Sequence, residues 1–462
     1  MQSYAEPQKL TQEAGQPDYA KLIPPGKLKE DLDFLFKTIE EVHPNMYAYI
    51  SKEEFTPLRE KLYKSINHPI SCLEFYKLVA PVVASLKSGH TYIQPFAQEL
   101  KKFIESGGSV FPLALRSDGS KIIITKNYTS TPLPVSETVL KINGQPADEL
   151  FAKFARLFPA EKRNTNPAVV ERPEIFGWLL YLEYGPVESW TLEIKETNSL
   201  VNSYTVKPVP LEKIIGAKAG LNNEKEKNYY QHLSEYDTAL LEINSFGTNL
   251  GKFKNFLRES FQKIRDNKTP NLIINIRENS GGSDMNANAL LEYLAQKPYK
   301  QFEQARIKIS PQAQKGIAPL RRQSPQLFEN KEIGDIITLD LPLKTPADNL
   351  LRFKGRIFVL IGPKSFSTST SFTSAIKQFR IATLVGEETG DPTIVYGNVI
   401  NTTLPNSGLM AAVPGRAFVL AGGKDDGRGV LPDYEVKQKP EDTAKGVDTV
   451  LQFTLNLIKE SK

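Results

Sequence analysis

The second half of the chain alternates strand-like apolar runs with amphipathic helical stretches, and this alternation restricts the fold more than any other feature. From about residue 230 the order is TALLEINSF, GKFKNFLRESFQKI, LIINIR, DMNANALLEYLAQK, RIFVLIG, SFSTSTSFTSAIKQF and ATLVG. Such alternation is typical of a parallel or mixed sheet covered by helices. We therefore predict an α/β domain over residues 231–462, with Ser283 as the N-cap of one helix.

The first half of the chain divides into a helical part and a strand-rich part. In residues 25–105, apolar side chains recur at three- and four-residue spacing, as in LKEDLDFLFKTIEEVH, and predict a small helical domain. Residues 106–210 predict a β-rich domain. Its signals are two alternating runs joined by Asp-Gly in VFPLALRSDGSKIIITKN, and a strand, an Asn-Gly turn and a helix in ETVLKINGQPADELFAKFARLF.

Two further segments complete this division. Residues 211–230, where Lys and Glu are crowded together, predict a linker. Residues 1–24 are polar and rich in Gln and Pro, and they predict a mobile lead segment. They lack the basic and apolar regions of a secretory signal, which fits either a cytoplasmic chain or a mature exported chain with an added Met.

Composition excludes several classes of protein. The 462 residues suggest about three domains. The 58 Lys and Arg against 53 Asp and Glu give a net charge of +5 without long blocks of one sign, so nucleic-acid binding has no electrostatic support. The single cysteine, Cys72, excludes a disulfide scaffold and a cysteine-rich zinc site. No stretch approaches the roughly 18 apolar residues of an integral membrane segment.

Common catalytic motifs are missing from the sequence. It contains no GxxxxGK[ST], no GxGxxG after a strand, no HExxH and no GxSxG. One SxxK string, Ser374 to Lys377, lacks the KTG partner of penicillin-binding-type enzymes. Nucleotide-binding, dinucleotide-binding, zincin and common α/β-hydrolase sites therefore lack their usual anchor motifs.

Two strand-to-helix turns are candidates for chemistry. In NIRENSGGSDMNA, Gly281 and Gly282 expose backbone N–H groups beside a helix N-terminus, which suits half of an oxyanion hole or simply a tight turn. In the second, hydroxyl side chains cluster at the start of a helix, where one could be a nucleophile or an N-cap. They are Ser365, Ser367, Thr368, Ser369 and Thr370.

A nucleophilic serine needs a base, and the chain has four histidines. His43 and His68 precede prolines and His232 lies in a polar stretch, whereas His90 follows a glycine between a helix and an alternating strand. His90 is therefore the favoured base, with a satisfied structural histidine as the alternative. The loop KDDGRGVLPDY offers acidic residues that could orient the base or lie in a solvated turn, namely Asp425, Asp426 and Asp433.

Taken together, these motifs resemble the C-terminal processing (tail-specific) serine peptidases, and within that family the branch of the tricorn core protease. The resemblance covers roughly residues 28–440. It follows the order HPNMY, SGHTYIQP, KINGQPADEL, INSF, LIINIRENSGG, SFSTSTSFTSAIKQ, ATLVGEETG, LPNSG and GRGVLPD. It implies an α/β multidomain protein with a crotonase-like ββα spiral core, a helical N-terminal domain and a PDZ-like domain.

The resemblance also assigns site residues. Ser367 falls on the nucleophile and His90 on the base of the tricorn-like branch, while Asp426 stands where that branch has Glu. The oxyanion donors fall on the N–H of Thr368 and on the glycines Gly281 and Gly282. The family implies a peptide or protein substrate, no metal or organic cofactor, and an extracytoplasmic location such as the bacterial periplasm.

The sequence departs from the family pattern in four places. The Ser–Lys branch carries its lysine in a TxGKG string, and here that place is Thr389-Gly390-Asp391-Pro392, which disfavours a Ser–Lys dyad. The usual DGHT begins with Ser88, and the usual DLRGN is replaced by NIREN from Asn275 onward. Asp426 is one methylene shorter than Glu.

The resulting hypothesis is a serine endopeptidase that works through an acyl-enzyme with Ser-His-Asp catalysis. The alternative is a weakly active or inactive protein that binds peptides or apolar ligands on the same scaffold, because retinoid-binding proteins of the photoreceptor matrix resemble this family's core.

Overall fold

The computed structural model describes residues 19–460, apart from 95, 118, 120, 164, 219–227, 425, 440–441 and 443–444. Most of the predicted lead segment, and the Asp of the predicted Asp-Gly turn, therefore lie outside the described residues.

The N-terminal region consists mainly of helices, as the apolar periodicity predicts. Its elements are β1 (Leu22–Ile23), α1 (Pro25–Val42), α2 (Lys52–Ser65), β2 (Ile70–Ser71), α3 (Cys72–Ala84), β3 (Tyr92–Ile93) and α4 (Ala97–Glu105). Helices α2 and α3 begin at capping boxes, in which Ser51 and Ser71 each accept a hydrogen bond from the N–H three residues on.

The middle region contains a sheet with helices at its side. Its elements are β4 (Ser109–Val110), β5 (Leu113–Ser117), β6 (Ile122–Asn127), β7 (Thr138–Ile142), β8 (Gln145–Pro146), α5 (Ala147–Ala155), α6 (Pro167–Val170), α7 (Pro173–Tyr184), β9 (Trp190–Lys195), β10 (Val201–Val206), β11 (Val209–Pro210) and α8 (Leu211–Lys218). The strand order is β10-β9-β7-β6-β5, and the antiparallel pairing of β5 with β6 confirms the predicted hairpin. Asn143 and Gly144 both have positive φ, as expected for the predicted turn before α5.

The C-terminal region alternates strands and helices. Its elements are β12 (Asn228–Leu233), β13 (Thr238–Ile243), α9 (Leu250–Asp266), β14 (Asn271–Asn275), α10 (Asp284–Leu294), β15 (Phe302–Lys308), α11 (Gln314–Gln323), β16 (Ile336–Asp340), β17 (Arg356–Ile361), α12 (Thr368–Gln378), β18 (Thr383–Gly386), β19 (Ile394–Thr403), β20 (Met410–Leu420), β21 (Tyr434–Glu435) and α13 (Thr449–Glu460). Short 3₁₀ turns lie at Ser234–Tyr236 and Pro325–Phe328.

The main C-terminal sheet is mixed and covered by helices, as predicted. Its order is β12-β13-β14-β17-β18-β21; β12 pairs antiparallel with β13, and all other neighbours are parallel. One face packs on α9, α10 and α12 through an apolar cluster that includes Phe253, Leu291 and Phe372. The other face packs on α13 through Leu455 and Ile458. Ser283 caps α10 by accepting a hydrogen bond from the N–H of Met285, which confirms the predicted N-cap.

A second sheet, which the sequence patterns did not indicate, joins the C-terminal region to the N-terminal region. Its order is β16-β15-β20-β19, and β3 adds to β20 by pairing Ile93 with Ala411 and Tyr92 with Ala412. The segment that follows His90 is thus held on a strand from the other end of the chain.

Residues 211–230, predicted as a linker, begin and end in regular structure. They open with α8, whose Leu211 and Ile214 are fully buried, and they reach β12 at Asn228. Residues 219–227 lie outside the described part. The chain as a whole has a mixed α/β multidomain fold, and none of its described helices is both long and apolar enough to cross a membrane.

Candidate active site

Ser367 lies in the turn between β17 and α12, at the N-cap of the helix. Its backbone has φ 57° and ψ −120°, a conformation that non-glycine residues rarely adopt. The Ser367 N–H donates a 2.6 Å hydrogen bond to Oδ2 of Asp391, and this bond supports the unusual backbone. The hydroxyl is therefore presented at a helix N-terminus by a constrained turn.

The structure brings His90 to Ser367, although 277 residues separate them in sequence. The His90 Nε2 atom lies 3.3 Å from Ser367 Oγ. The imidazole stacks on the ring of Phe366, with 4.9 Å between ring centroids and 21° between planes. This contact orients the ring toward the hydroxyl.

Two buried carboxylates, from Glu161 and Asp391, complete the surroundings of His90. Glu161 Oε1 lies 3.9 Å from His90 Nδ1 and accepts a 3.0 Å hydrogen bond from the Gly89 N–H. One ligand-type atom from each of His90, Glu161 and Asp391 lies within 4.8 Å of the others, a grouping that could also hold a metal ion. The acidic partners of the imidazole thus come from the middle region and from the loop before β19.

Asp426, predicted as the orienting carboxylate, does not belong to this group. Its side chain is exposed, and its Oδ1 accepts a 2.9 Å hydrogen bond from the Arg428 N–H within the same loop. The Asp426 carboxylate is thus hydrogen-bonded within its own loop, and the carboxylates near the imidazole are those of Glu161 and Asp391. Asp433, the other described acid of this segment, accepts a hydrogen bond from the Leu384 N–H and pairs with Lys377.

Burial dominates the electrostatics of the group. It lowers the pKa of His90, and the charge of Asp391 opposes this shift. It raises the pKa of Glu161, against the hydrogen bond from Gly89, and raises the pKa of Asp391, against the attraction of His90. The two carboxyl groups consequently share a strong tendency to hold a proton, while the imidazole stays neutral.

The oxyanion donors differ in part from the prediction. Among the described residues, the N–H groups of Thr368 and Gly282 have no hydrogen-bond acceptor, so both are available. The N–H of Gly281 is occupied, because it donates a 2.9 Å hydrogen bond to Asn279 Oδ1. A side chain at Gly281 would come within 2.8 Å of the Ser367 Cβ, so this glycine provides space beside the hydroxyl instead of a free donor.

The other hydroxyl candidates have structural surroundings. Ser365 Oγ donates to the Ile276 carbonyl at 2.8 Å and accepts from the Gly362 N–H at 3.1 Å. Ser369 is fully buried within α12. In the SxxK string, Ser374 donates to the Ala421 carbonyl, and Lys377 pairs with Asp433 instead. None of these contacts forms a serine–base pair.

The departures at Asn275 and Ser88 lie in hydrogen-bonded structure around the site. Asn275 donates to Glu242 Oε1 at 2.9 Å and accepts from Arg277. Ser88 Oγ lies 3.1 Å from Nε2 of the buried His43. Burial lowers the pKa of His43 to about 3, so this second histidine is neutral.

The sequence did not predict that Glu161 and Asp391 lie beside His90. Glu161 lies in AEKRN, a polar stretch with no motif, and it reaches His90 only through the packing of the middle region. Asp391 was visible in the sequence, because it stands in the ETGDP segment where the Ser–Lys branch has its lysine. Two signals could have marked it: its position in that segment, and its Asp-Pro turn after a predicted strand.

Comparison with known proteins relates part of the chain to a known family. Residues 237–436 match the family model described as "Peptidase family S41". A search of curated proteins finds no match to the sequence. Among solved structures, a point mutant of CPAF aligns with TM-score 0.67 at 16% identity over 94% of this chain and 96% of that one.

Two further structures show the same overall fold. The complex of mature CPAF with lactacystin aligns with TM-score 0.64 at 17% identity, covering 94% of this chain and 98% of the other. A candidate peptidase from Parabacteroides merdae aligns with TM-score 0.50 at 14% identity, covering 94% and 96%. Residues 237–436, which include Ser367 and Asp391, thus match peptidase family S41, and this match fits the family of the C-terminal processing proteases.

Proposed function

We propose that the protein is a serine endopeptidase that cleaves peptides or unfolded protein tails through an acyl-enzyme. The observation that carries the proposal is the 3.3 Å contact between His90 Nε2 and Ser367 Oγ. It is supported by the buried carboxylates of Glu161, 3.9 Å from His90 Nδ1, and of Asp391, which lies in the same group. A nucleophile, a base within hydrogen-bond reach and an acid beside the base form the arrangement used for acyl transfer.

Each residue has a defined role in this reaction. His90 takes the proton of Ser367 as the hydroxyl attacks the scissile carbonyl, and later gives it to the leaving amine. Glu161 and Asp391, once ionised, hold the imidazole with its proton on Nδ1 and stabilise its positive form. The free N–H groups of Thr368 and Gly282 receive the oxyanion, and one such donor typically contributes about 2.7–4 kcal/mol to kcat.

The surrounding domains fit this role. We assign residues 231–462 to a crotonase-like core and residues 106–210 to a PDZ-like domain that engages the substrate. The support is the parallel order of the main sheet, together with the antiparallel sheet of the middle region. Edge strand β10 could receive an extended peptide by strand addition. We retain an extracytoplasmic location as part of the proposal.

A fluorophosphonate probe and a disordered protein substrate test the proposal together. The wild-type protein should be labelled and should cleave the substrate, and Ser367→Ala should abolish both. Ser369→Ala is the matched control, because it removes a nearby buried hydroxyl outside the proposed pair and should retain labelling. His90→Gln should abolish cleavage and slow labelling, because it removes the base and leaves the hydroxyl.

Two outcomes would contradict the proposal. Persistent labelling of Ser367→Ala would move the nucleophile to another serine. A folded wild-type protein that neither reacts with the probe nor cleaves any peptide, but binds an apolar ligand, would favour the binding-protein alternative.

A further inference from the structure

Among the described residues, three buried polar atoms of the group around His90 have no hydrogen-bond partner. They are His90 Nδ1, Glu161 Oε2 and Asp391 Oδ1. The side chain of Glu161 is 0% exposed, that of His90 is 13% exposed, and Asp391 is 0% exposed. Since leaving a buried polar atom unpaired is unfavourable, three such atoms in one place indicate a ligand-binding site.

The charge around these atoms favours a cation. Within the described part of the chain, neither Glu161 nor Asp391 forms an ion pair with a lysine or arginine. Two adjacent carboxylates in a buried setting repel each other unless a proton or a cation lies between them. One imidazole nitrogen and two carboxylates form a donor set that suits Zn²⁺.

We propose that a divalent transition-metal ion of the Zn²⁺ type binds His90 Nδ1, Glu161 and Asp391 and inhibits the peptidase. Tetrahedral zinc, with bonds of about 2.0–2.1 Å, needs ligand atoms about 3.4 Å apart. The three side chains, whose ligand atoms lie within 4.8 Å of one another, therefore move closer by up to roughly 1.4 Å around the ion. Water supplies the fourth ligand.

The ion inhibits by fixing the wrong tautomer of the base. With a metal on Nδ1, the neutral imidazole carries its proton on Nε2, the atom that faces Ser367 Oγ. Nε2 then donates to the hydroxyl and cannot accept its proton. The ion lies on the side of the imidazole opposite the hydroxyl, so the chemical step slows while substrate binding is unaffected. This inhibitory effect rests on the proposed function, but binding of the ion does not.

Calorimetric titration of ZnCl₂ into the Ser367→Ala protein tests the site without any activity. One ion per chain should bind, and thermal unfolding should shift to higher temperature because the ligands join three regions of the chain. In the same background, Glu161→Gln and Asp391→Asn should each weaken binding by about 10-fold or more. Asp426→Asn, which removes an exposed carboxylate outside the group, should leave the affinity unchanged.

Kinetics of the wild-type protein then test the consequence. Zn²⁺ should lower kcat at constant KM, and EDTA should restore it. The site is disproved if Ser367→Ala binds no Zn²⁺, or if neither Glu161→Gln nor Asp391→Asn weakens binding. Inhibition that raises KM alone, or binding that leaves kcat unchanged, would overturn the tautomer mechanism. If the protein binds Zn²⁺ through these residues but has no peptidase activity, the metal site is supported and the proposed function is wrong.

Discussion

At the scale of single residues, Asp391 acts on both the proposed nucleophile and the proposed base. Its Oδ2 accepts the Ser367 N–H, and its charge acts on His90. We expect Asp391→Asn to lower kcat/KM by about 10²-fold or more, because an amide cannot stabilise the imidazolium. Peptide hydrolysis measured beside the Ser369→Ala control checks this. Unchanged activity would leave Glu161 as the acidic partner of His90 among the described residues.

The pH dependence follows from the same carboxylates. Because burial raises the pKa of Glu161 and Asp391 and lowers that of His90, the carboxyl groups lose their last proton at a higher pH than the imidazole. Activity should therefore rise with pH along the titration of the carboxyl pair. In Asp391→Asn the rising limb of the kcat/KM profile should move to lower pH, although its maximum is smaller.

The stability of the fold should change with pH in the direction opposite to activity. A carboxyl group whose pKa is higher in the folded than in the unfolded state stabilises the fold below its unfolded pKa of about 4, and this contribution is lost as pH rises through the folded pKa. The neutral amide of Asp391→Asn keeps an acceptor for the Ser367 N–H and avoids that loss. As pH rises from 5 to 9, the unfolding temperature of Asp391→Asn should rise relative to that of the wild-type protein. A difference in unfolding temperature that stays constant with pH would contradict the raised pKa of Asp391.

His43 is expected to position the base without titrating. Its Nδ1 accepts the Asn45 N–H at 3.0 Å, so its Nε2 carries the proton and donates to Ser88, two residues before His90. His43→Leu leaves the Ser88 hydroxyl without this donor and should lower kcat by about tenfold, and His43→Gln should recover part of the loss. Since the pKa of His43 lies near 3, neither variant should change the pH profile of kcat between 5 and 9.

At the scale of elements, the turn before α10 and the turn before α12 touch each other. Gly281 has φ +101°, and a Cβ there would lie 2.8 Å from the Phe366 carbonyl and from Ser367 Cβ. Gly281→Ala should therefore abolish activity by displacing the hydroxyl. Gly334 has φ +100° and open space around it, so Gly334→Ala carries the same backbone strain without the crowding. It should lose about 1 kcal/mol of stability and keep its kcat.

Elements with an unbroken apolar run or a regular spacing of apolar residues could be predicted from sequence. Elements that lack both patterns could not. The runs LIINIR and RIFVLIG contain the unbroken apolar stretches LII and IFVLI because β14 and β17 are buried in the middle of the main sheet. Strand β19, IVYGNVINTT, is rich in β-branched residues, but its buried and exposed positions do not alternate regularly, so periodicity did not predict it. Glu161 could not be found because its role depends on a contact across 71 residues with His90, which only packing creates.

At the scale of the whole molecule, α1 is joined to the β19–β20 turn by one buried carboxylate. Asp31 is 0% exposed and accepts hydrogen bonds from the N–H groups of Asn406 at 2.8 Å and Ser407 at 2.7 Å. Asp31→Asn places an amide against one of these donors and should cost about 1.5–3 kcal/mol of unfolding free energy. Denaturant titration measures this loss, with Glu60→Gln, which removes an exposed charge on α2, as the control. Equal stability of the two variants would show that this contact contributes nothing.

The pairing of β3 with β20 means that His90 is held in place by residues synthesised more than 300 positions later. The proposed nucleophile, base and acids consequently meet only after β20 has emerged and docked. A nascent or partly unfolded copy holds each group separately and has no working site. Under the proposed function, complete folding is a precondition for proteolysis, which protects unfinished copies of the protein from cutting themselves.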